Sequence, residues 1–182
     1  MYGFLNSKLR TCLAVLIVLT IALIFIHSAL SPEVSSKESE AVGGVVEEVI
    51  DKVAPNNPSL KEYVSKNIRK IAHFIEFALL GLEVTVFAYV GYRQKYSLTE
   101  ACDTVACGKY YSVLKHIFGT LIFGLLIAFS DESMQILSNR GPSVKDIWID
   151  LFGYSSQSLI TFCVIILISH LRRKSKIQNL HM

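Results

Sequence analysis

Charge is scarce in this sequence. Asp, Glu, Lys and Arg make up 18% of the 182 residues, whereas a soluble domain usually carries about 25%. Cysteine is sparse too: residues 12, 102, 107 and 163 match no disulfide framework. Cys102 and Cys107 lack both the usual zinc spacing and a nearby His pair, and read as reduced loop residues. There is no Gly-rich phosphate loop, no H-E-x-x-H helix and no nucleophile–base pair. Internal repeats are absent, and the one biased tract is a polar Ser/Glu stretch at 35–40. The net charge of +3 is spread over loops and tails, which argues against a nucleic-acid partner.

What the chain does have is hydrocarbon, at 52% of residues, gathered in blocks long enough to cross a bilayer. Lys8 and Arg10 precede an apolar run over 12–30, longer than a signal-peptide core and without an A-x-A-like cleavage site, so a retained signal anchor is expected. Residues 31–68 read as a polar outer loop punctuated by Pro32, Pro55 and Pro58. Within it, Val42, Val45, Val46, Val49, Ile50 and Val53 share one face of a short amphipathic helix, with Glu47, Glu48, Asp51 and Lys52 opposite. Packing on the protein suits its acidic polar face better than tight binding to anionic lipid.

Ser59 and Glu62 form a capping box for a helix expected to run to Tyr92, with 71–92 in the bilayer and Arg69 and Lys70 near the interface. A polar cytoplasmic connection at 93–113 leads to a third span at 114–137. A turn over 138–143 leads to a fourth span at 146–170, opened by Ser143 with Asp146. Tyr89, Tyr92, Tyr110, Tyr111 and Trp148 fall where aromatic anchors are expected, and so does His27 as an interfacial residue. Gly119 and Gly124 suit close helix packing. The basic tail of Arg172, Arg173, Lys174 and Lys176 favours both termini inside. The expected fold is therefore an all-α membrane protein with one domain over 1–182, four transmembrane helices, N-in and C-in, and a short extracytoplasmic amphipathic helix. A multi-pass place in a membrane follows.

This topology brings the start of span two, the end of span three and the start of span four to one outer level. Lys70, His73, Glu76, Asp131, Glu132, Gln135, Arg140, Asp146 and Asp150 converge there. A charged group at a helix centre costs roughly 2.5–3.5 kcal/mol on insertion scales, so these residues need partners, water or a ligand. His73 and Glu76 are helical neighbours, as are Asp131 and Gln135; Asp146 and Asp150 repel unless compensated. Arg140 is the obvious compensator, with Lys70 and Lys145 at the rim.

Three segments stand out together: KIAHFIEFALLG at 70–81, AFSDESMQILSNR at 128–140 and SVKDIWIDLFG at 143–153. As a set, in order and spacing, they resemble the VanZ-like family of small bacterial membrane proteins. The resemblance rests on Lys70, His73, Phe74, Phe77 and Gly81, then Asp131, Glu132, Gln135 and Arg140, then Asp146, Asp150 and Gly153. It covers spans two to four; the connection 93–113 has no counterpart in the pattern and 31–68 matches loosely. The resemblance implies low-level resistance to glycopeptides such as teicoplanin, and a place in the cell envelope rather than a reaction.

Three readings of the cluster stay open. It is an interhelical polar network in which Arg140 bridges carboxylates. It is a binding site in which Arg140, Lys70 and the N–H groups opening span four hold an anionic part of an envelope lipid or glycopeptide, best a zwitterionic or sugar-bearing head. Or it is a membrane enzyme using carboxylate and His acid–base or metal-assisted chemistry on a head group. No catalytic residue, metal-ligand set or cofactor is assigned. Membrane lipids are the expected surroundings, and the oligomeric state stays open.

Overall fold

Pro32, read as a break, starts a helix instead, and Pro58 opens another, one residue before the start expected at Ser59. In the computed structural model, which describes residues 2–30, 32–53, 58–97, 106–138 and 143–178, five helices follow one another. These are α1 (Tyr2–Ala29), α2 (Pro32–Val53), α3 (Pro58–Ser97), α4 (Ala106–Leu137) and α5 (Val144–Gln178). Pro32 and Pro58 occupy first-turn positions, where a backbone N–H has no helical partner and proline costs nothing. The 31–68 stretch is accordingly mostly helix, not loop. The connection expected over 93–113 shrinks from both sides, since α3 runs to Ser97 and α4 starts at Ala106. Arg140, Cys102 and most of the turn after α4 lie outside the described residues. Among the described residues there is no strand.

Four stretches are long and apolar enough to cross a membrane: Ser7–Ala29, Pro58–Tyr92, Lys115–Leu137 and Val144–Leu171. Large apolar side chains such as Val18, Leu19, Ile26, Leu126, Phe129, Leu159 and Leu167 stand exposed along them. Lipid satisfies such a surface. With 40 residues, α3 runs roughly 60 Å at ~1.5 Å per residue, about twice a hydrocarbon core. It is the axis of the fold and touches every other helix, α5 most extensively and then α1.

Helix α2 packs on α3 with only part of its apolar face. Gly43 is buried and Val46 and Ile50 are half-buried, while Val42, Val45 and Val49 stay exposed. Asp51 pairs with Lys61 across the α2–α3 junction. The expectation of packing on protein holds for the first set and not for the second.

The core of Ile24, Phe77, Leu80, Val84, Ala128 and Tyr154 is small, because helices in lipid associate through close fit rather than hydrophobic burial. Glycines give that fit. A Cβ on Gly153 would stand 2.5 Å from the Phe74 carbonyl oxygen, and one on Gly81 would collide with the Tyr154 carbonyl. Both lie on the α3–α5 crossing, where Ser158 Oγ also donates to the Gly81 carbonyl at 3.2 Å. Gly124 makes room for the Tyr154 ring, whose hydroxyl donates to the Thr120 carbonyl at 2.8 Å. Gly119 meets nothing within 4 Å and has no packing role of this kind, contrary to expectation.

One carboxylate sits in the α1–α3 interface. Thr20 Oγ1 donates to Glu83 Oε1 at 3.1 Å, and Glu83 Oε2 is buried without a hydrogen-bond partner. Thr20→Val should leave that carboxyl with no donor and cost roughly 1–3 kcal/mol. Thr20→Val with Glu83→Met removes both polar ends and should recover most of the loss. Thermal unfolding of the purified protein in detergent checks this; a double variant as weak as the single one would mean Glu83 is needed in its own right.

Candidate functional site

The end of α1, the early part of α3, the end of α4 and the start of α5 meet at one end of the bundle. Eight of the nine residues expected to converge are found there: Lys70, His73, Glu76, Asp131, Glu132, Gln135, Asp146 and Asp150. The ninth, Arg140, lies outside the described residues. The convergence follows from helix order alone, because each element enters or leaves at this end.

Asp131 is the centre of a set of buried bonds. It is fully buried. Ser28 Oγ donates to its Oδ1 at 2.5 Å, and Gln135 Nε2 donates to its Oδ2 at 3.0 Å. His73 Nδ1 lies 4.0 Å from Oδ2 and 3.6 Å from Glu76 Oε2. Glu76 Oε1 stands 2.5 Å from His27 Nδ1. Ser138 Oγ donates at 3.0 Å to the carbonyl of Ser28, fastening the last turn of α1 to the end of α4. On the far side of Gln135, its Oε1 accepts from Arg69 Nη2 at 3.0 Å. A chain of polar contacts thus runs from α1 through α4 to α3.

The start of α5 is capped from another helix. The Ser143–Asp146 pair was expected to form a capping box, in which the acid returns to the Ser143 N–H. Glu132 takes that N–H instead. Its charge also faces the positive end of the α5 dipole. Asp146 is thereby released to lie 3.0 Å from Lys70 Nζ. The second oxygen of Glu132 is buried and has no hydrogen-bond partner.

Between α3 and α5 a cleft of about 180 Å³ opens beside this network. Lys66, Arg69 and Lys70 form one wall, Asp146, Ile149 and Asp150 the other, with His73 and Gln135 between them. The cations follow from helical spacing, since residues 66, 69, 70 and 73 share one face of α3. Asp150 is 2% exposed, and no described residue hydrogen-bonds or pairs with it; its near charges are the acids Asp131, Asp146, Glu132 and Glu76. Arg69, which lines the same cleft, spends its hydrogen bond on a neutral amide. The compensation expected from Arg140 falls on a residue outside the described ones. Among them, no group of three or more His, Cys, Asp and Glu is arranged to hold a metal ion.

Arg69, His27, Ser28 and Ser138 are part of the site and were not expected in it. Arg69 and His27 had been read only as interfacial residues. The serines carry no local signal: Ser28 reaches Asp131 across 103 positions of sequence. A hydroxyl at the end of an apolar span, at helical spacing from Thr20 and Ile24, is the nearest thing to one.

The model of the VanZ/LLP1 family matches residues 13–168 of the chain. No curated protein and no solved structure matches it.

Proposed function

The chain belongs to the VanZ-like family and is a multi-pass membrane protein, and from that premise we propose that it lowers susceptibility to glycopeptide or other envelope-active agents by holding a small surface ligand in the α3–α5 cleft. The observation that carries this reading is Asp150, a buried carboxyl that lines an accessible cleft and is neutralised by no described residue. Charges of that kind near hydrocarbon are costly and persist where something binds them.

Two features support an extracytoplasmic position for the cleft. The cluster surrounds the early part of α3, whereas Arg10 lies over the Phe87 ring at 5.0 Å and beside Gly91, toward the other end of that helix. The tail of α5 bears Arg172, Arg173, Lys174 and Lys176. Basic flanks favour the cytoplasmic side, which leaves the cluster outside, in a plasma membrane with both termini in.

Size narrows the ligand. Sites that bury drug-sized molecules run to roughly 300–1,000 Å³. The 180 Å³ here suits a head group and not an entire glycopeptide. Protection would then work by occupying or altering what the agent meets at the surface. The buried hydrogen bonds that Asp131 receives from Ser28 and Gln135 favour a structural role for these three residues, so ligand contact belongs to the cleft walls.

The test is made in susceptible cells expressing the full chain. Asp150→Asn keeps shape and removes charge, and should abolish most of the protection against teicoplanin at unchanged abundance in the membrane. Glu132→Gln keeps an oxygen for the Ser143 N–H and should reduce protection less. Full protection by an equally abundant Asp150→Asn protein would overturn the reading.

A further inference from the structure

A guanidinium and a buried carboxyl line the same cleft without meeting each other. Arg69 is bonded to the neutral oxygen of Gln135, and Asp150 has no partner among the described residues, yet the two form no ion pair. Elsewhere on these walls opposite charges do pair, as Lys70 does with Asp146 at 3.0 Å. A chain that can close one ion pair across the cleft and leaves a second pair of charges apart presents a fixed dipole. Its complement carries an anion and a cation on one small skeleton.

We infer that the cleft binds a zwitterionic phosphoamine head group, its phosphate against the α3 cations and its primary ammonium against Asp150. This rests on the ligand-binding reading above and specifies its chemistry. On the phosphate side, Arg69 offers a planar fork suited to phosphate oxygens. Among the described residues Lys66 pairs with Glu62 alone, at 2.7 Å and with both side chains about 70% exposed. Such an exposed helical pair contributes little, so Lys66 is free to turn to a ligand. On the ammonium side, Asp150 lines the cleft and is an acceptor with no donor among the described residues. A primary ammonium brings three donors. A quaternary ammonium brings none, so choline is the wrong head for this wall.

A simple anion meets the Lys and Arg wall but also faces Asp146 and Asp150. A simple amine meets the acids but faces three cations. Only a molecule carrying both ends avoids both repulsions. Neutral sugars gain hydrogen bonds here but leave both charges uncompensated. The same chemistry reaches the cleft from a phosphatidylethanolamine-type lipid or from a soluble phosphoamine, and the experiment separates the two sources.

Full-length protein purified in detergent is titrated with phosphoethanolamine, inorganic phosphate, ethylamine, phosphocholine and glucose, reading thermal stabilisation and binding heat. Short-chain phosphatidylethanolamine, phosphatidylglycerol and phosphatidylcholine form the lipid arm. Phosphoethanolamine should bind at least tenfold tighter than phosphate, ethylamine or phosphocholine, and the ethanolamine lipid tighter than the other two. Preference for the lipid over its free head assigns the source to the membrane; equal affinity assigns it to the soluble compound. Asp150→Asn should lose the preference over phosphocholine and keep phosphate affinity, while Arg69→Gln should weaken every phosphate-bearing probe. Phosphate binding as tightly as phosphoethanolamine, or an unchanged preference in Asp150→Asn, would overturn the inference, as would no binding of any phosphoamine. A protein that passes this test while Asp150→Asn still protects cells leaves the inference standing and removes the proposed function. Lost protection without phosphoamine binding does the reverse.

Discussion

Gly153→Val is expected to clear the protein from the membrane fraction. The α3–α5 interface is the most extensive in the fold, and at Gly153 the backbone of one helix stands against the backbone of the other. An added Cβ would lie 2.5 Å from the Phe74 carbonyl oxygen and 3.2 Å from its ring. The ring can turn; the carbonyl cannot, because it belongs to a helix turn that α3 needs. Overpacking usually costs 1–3 kcal/mol, and a collision with main chain belongs at or above the top of that range. A loss of only about 1–2 kcal/mol already changes cellular abundance several-fold. Membrane abundance should therefore fall at least about fivefold, and protection with it. Gly81→Val, against the Tyr154 carbonyl on the same crossing, should behave alike. Gly119→Val is the control: nothing stands within 4 Å of its Cβ, so abundance should hold. Normal levels of Gly153→Val protein would mean that α3 and α5 cross elsewhere.

These glycines also mark the limit of what sequence could tell. The spans were legible, since hydrocarbon in blocks of bilayer length has few other uses. Which side of each span faces inward was not. Helix α1 buries Thr20, Ile24 and Ser28 and exposes Val18, Leu19 and Ile26. Both faces are apolar, because lipid tails and a protein interior make similar demands on a side chain. The inward face is betrayed instead by small and polar residues: Thr20 and Ser28 on α1, Gly81 on α3, Gly153, Ser158 and Thr161 on α5. Gly119 shows that smallness alone is insufficient. A glycine on the lipid face looks the same in sequence as one at a crossing.

The candidate site was legible as a level and less so as a set of partners. Helix order placed Lys70, His73, Glu76, Asp131, Glu132, Gln135, Asp146 and Asp150 together without knowledge of any contact. Pairing depends on rotations that order does not fix. Glu132, rather than Asp146, holds the Ser143 N–H because α4 ends beside the first turn of α5. His27 reaches Glu76 because α1 leans on α3 at that height. One proline misled in the opposite way: read as a break, Pro32 serves as a first-turn residue, and a helix grew at the expense of a loop.

Moving one negative charge by four residues within α4 should leave the network intact. Asp131 accepts from Ser28 and from Gln135 Nε2, and Gln135 Oε1 accepts from Arg69. In Asp131→Asn one oxygen still receives Ser28, but the new amide points donors at Gln135. Turning the Gln135 amide relieves that clash and aims its Nε2 at Arg69, which then meets a donor. One buried bond is lost whichever way the amide lies, at roughly 1–3 kcal/mol. Gln135→Glu alone sets two carboxylates side by side where a 3.0 Å hydrogen bond had been, and should lose a similar amount. The pair Asp131→Asn with Gln135→Glu restores each of these three bonds, because the carboxylate now at position 135 accepts both from the amide now at position 131 and from Arg69. It also gives Arg69 a charged partner in place of a neutral one. The double variant should recover to within about 1 kcal/mol of wild type in detergent unfolding, far from the sum of the singles. Because Arg69 would then be neutralised, phosphoethanolamine binding should weaken even as stability returns. Additive losses would mean that Asp131 and Gln135 act apart, and that the chain of bonds from α1 to α3 does not exist as a unit. Restored stability with undiminished ligand binding would instead detach Arg69 from the cleft and leave Lys66 and Lys70 as the only cations in play on its α3 wall.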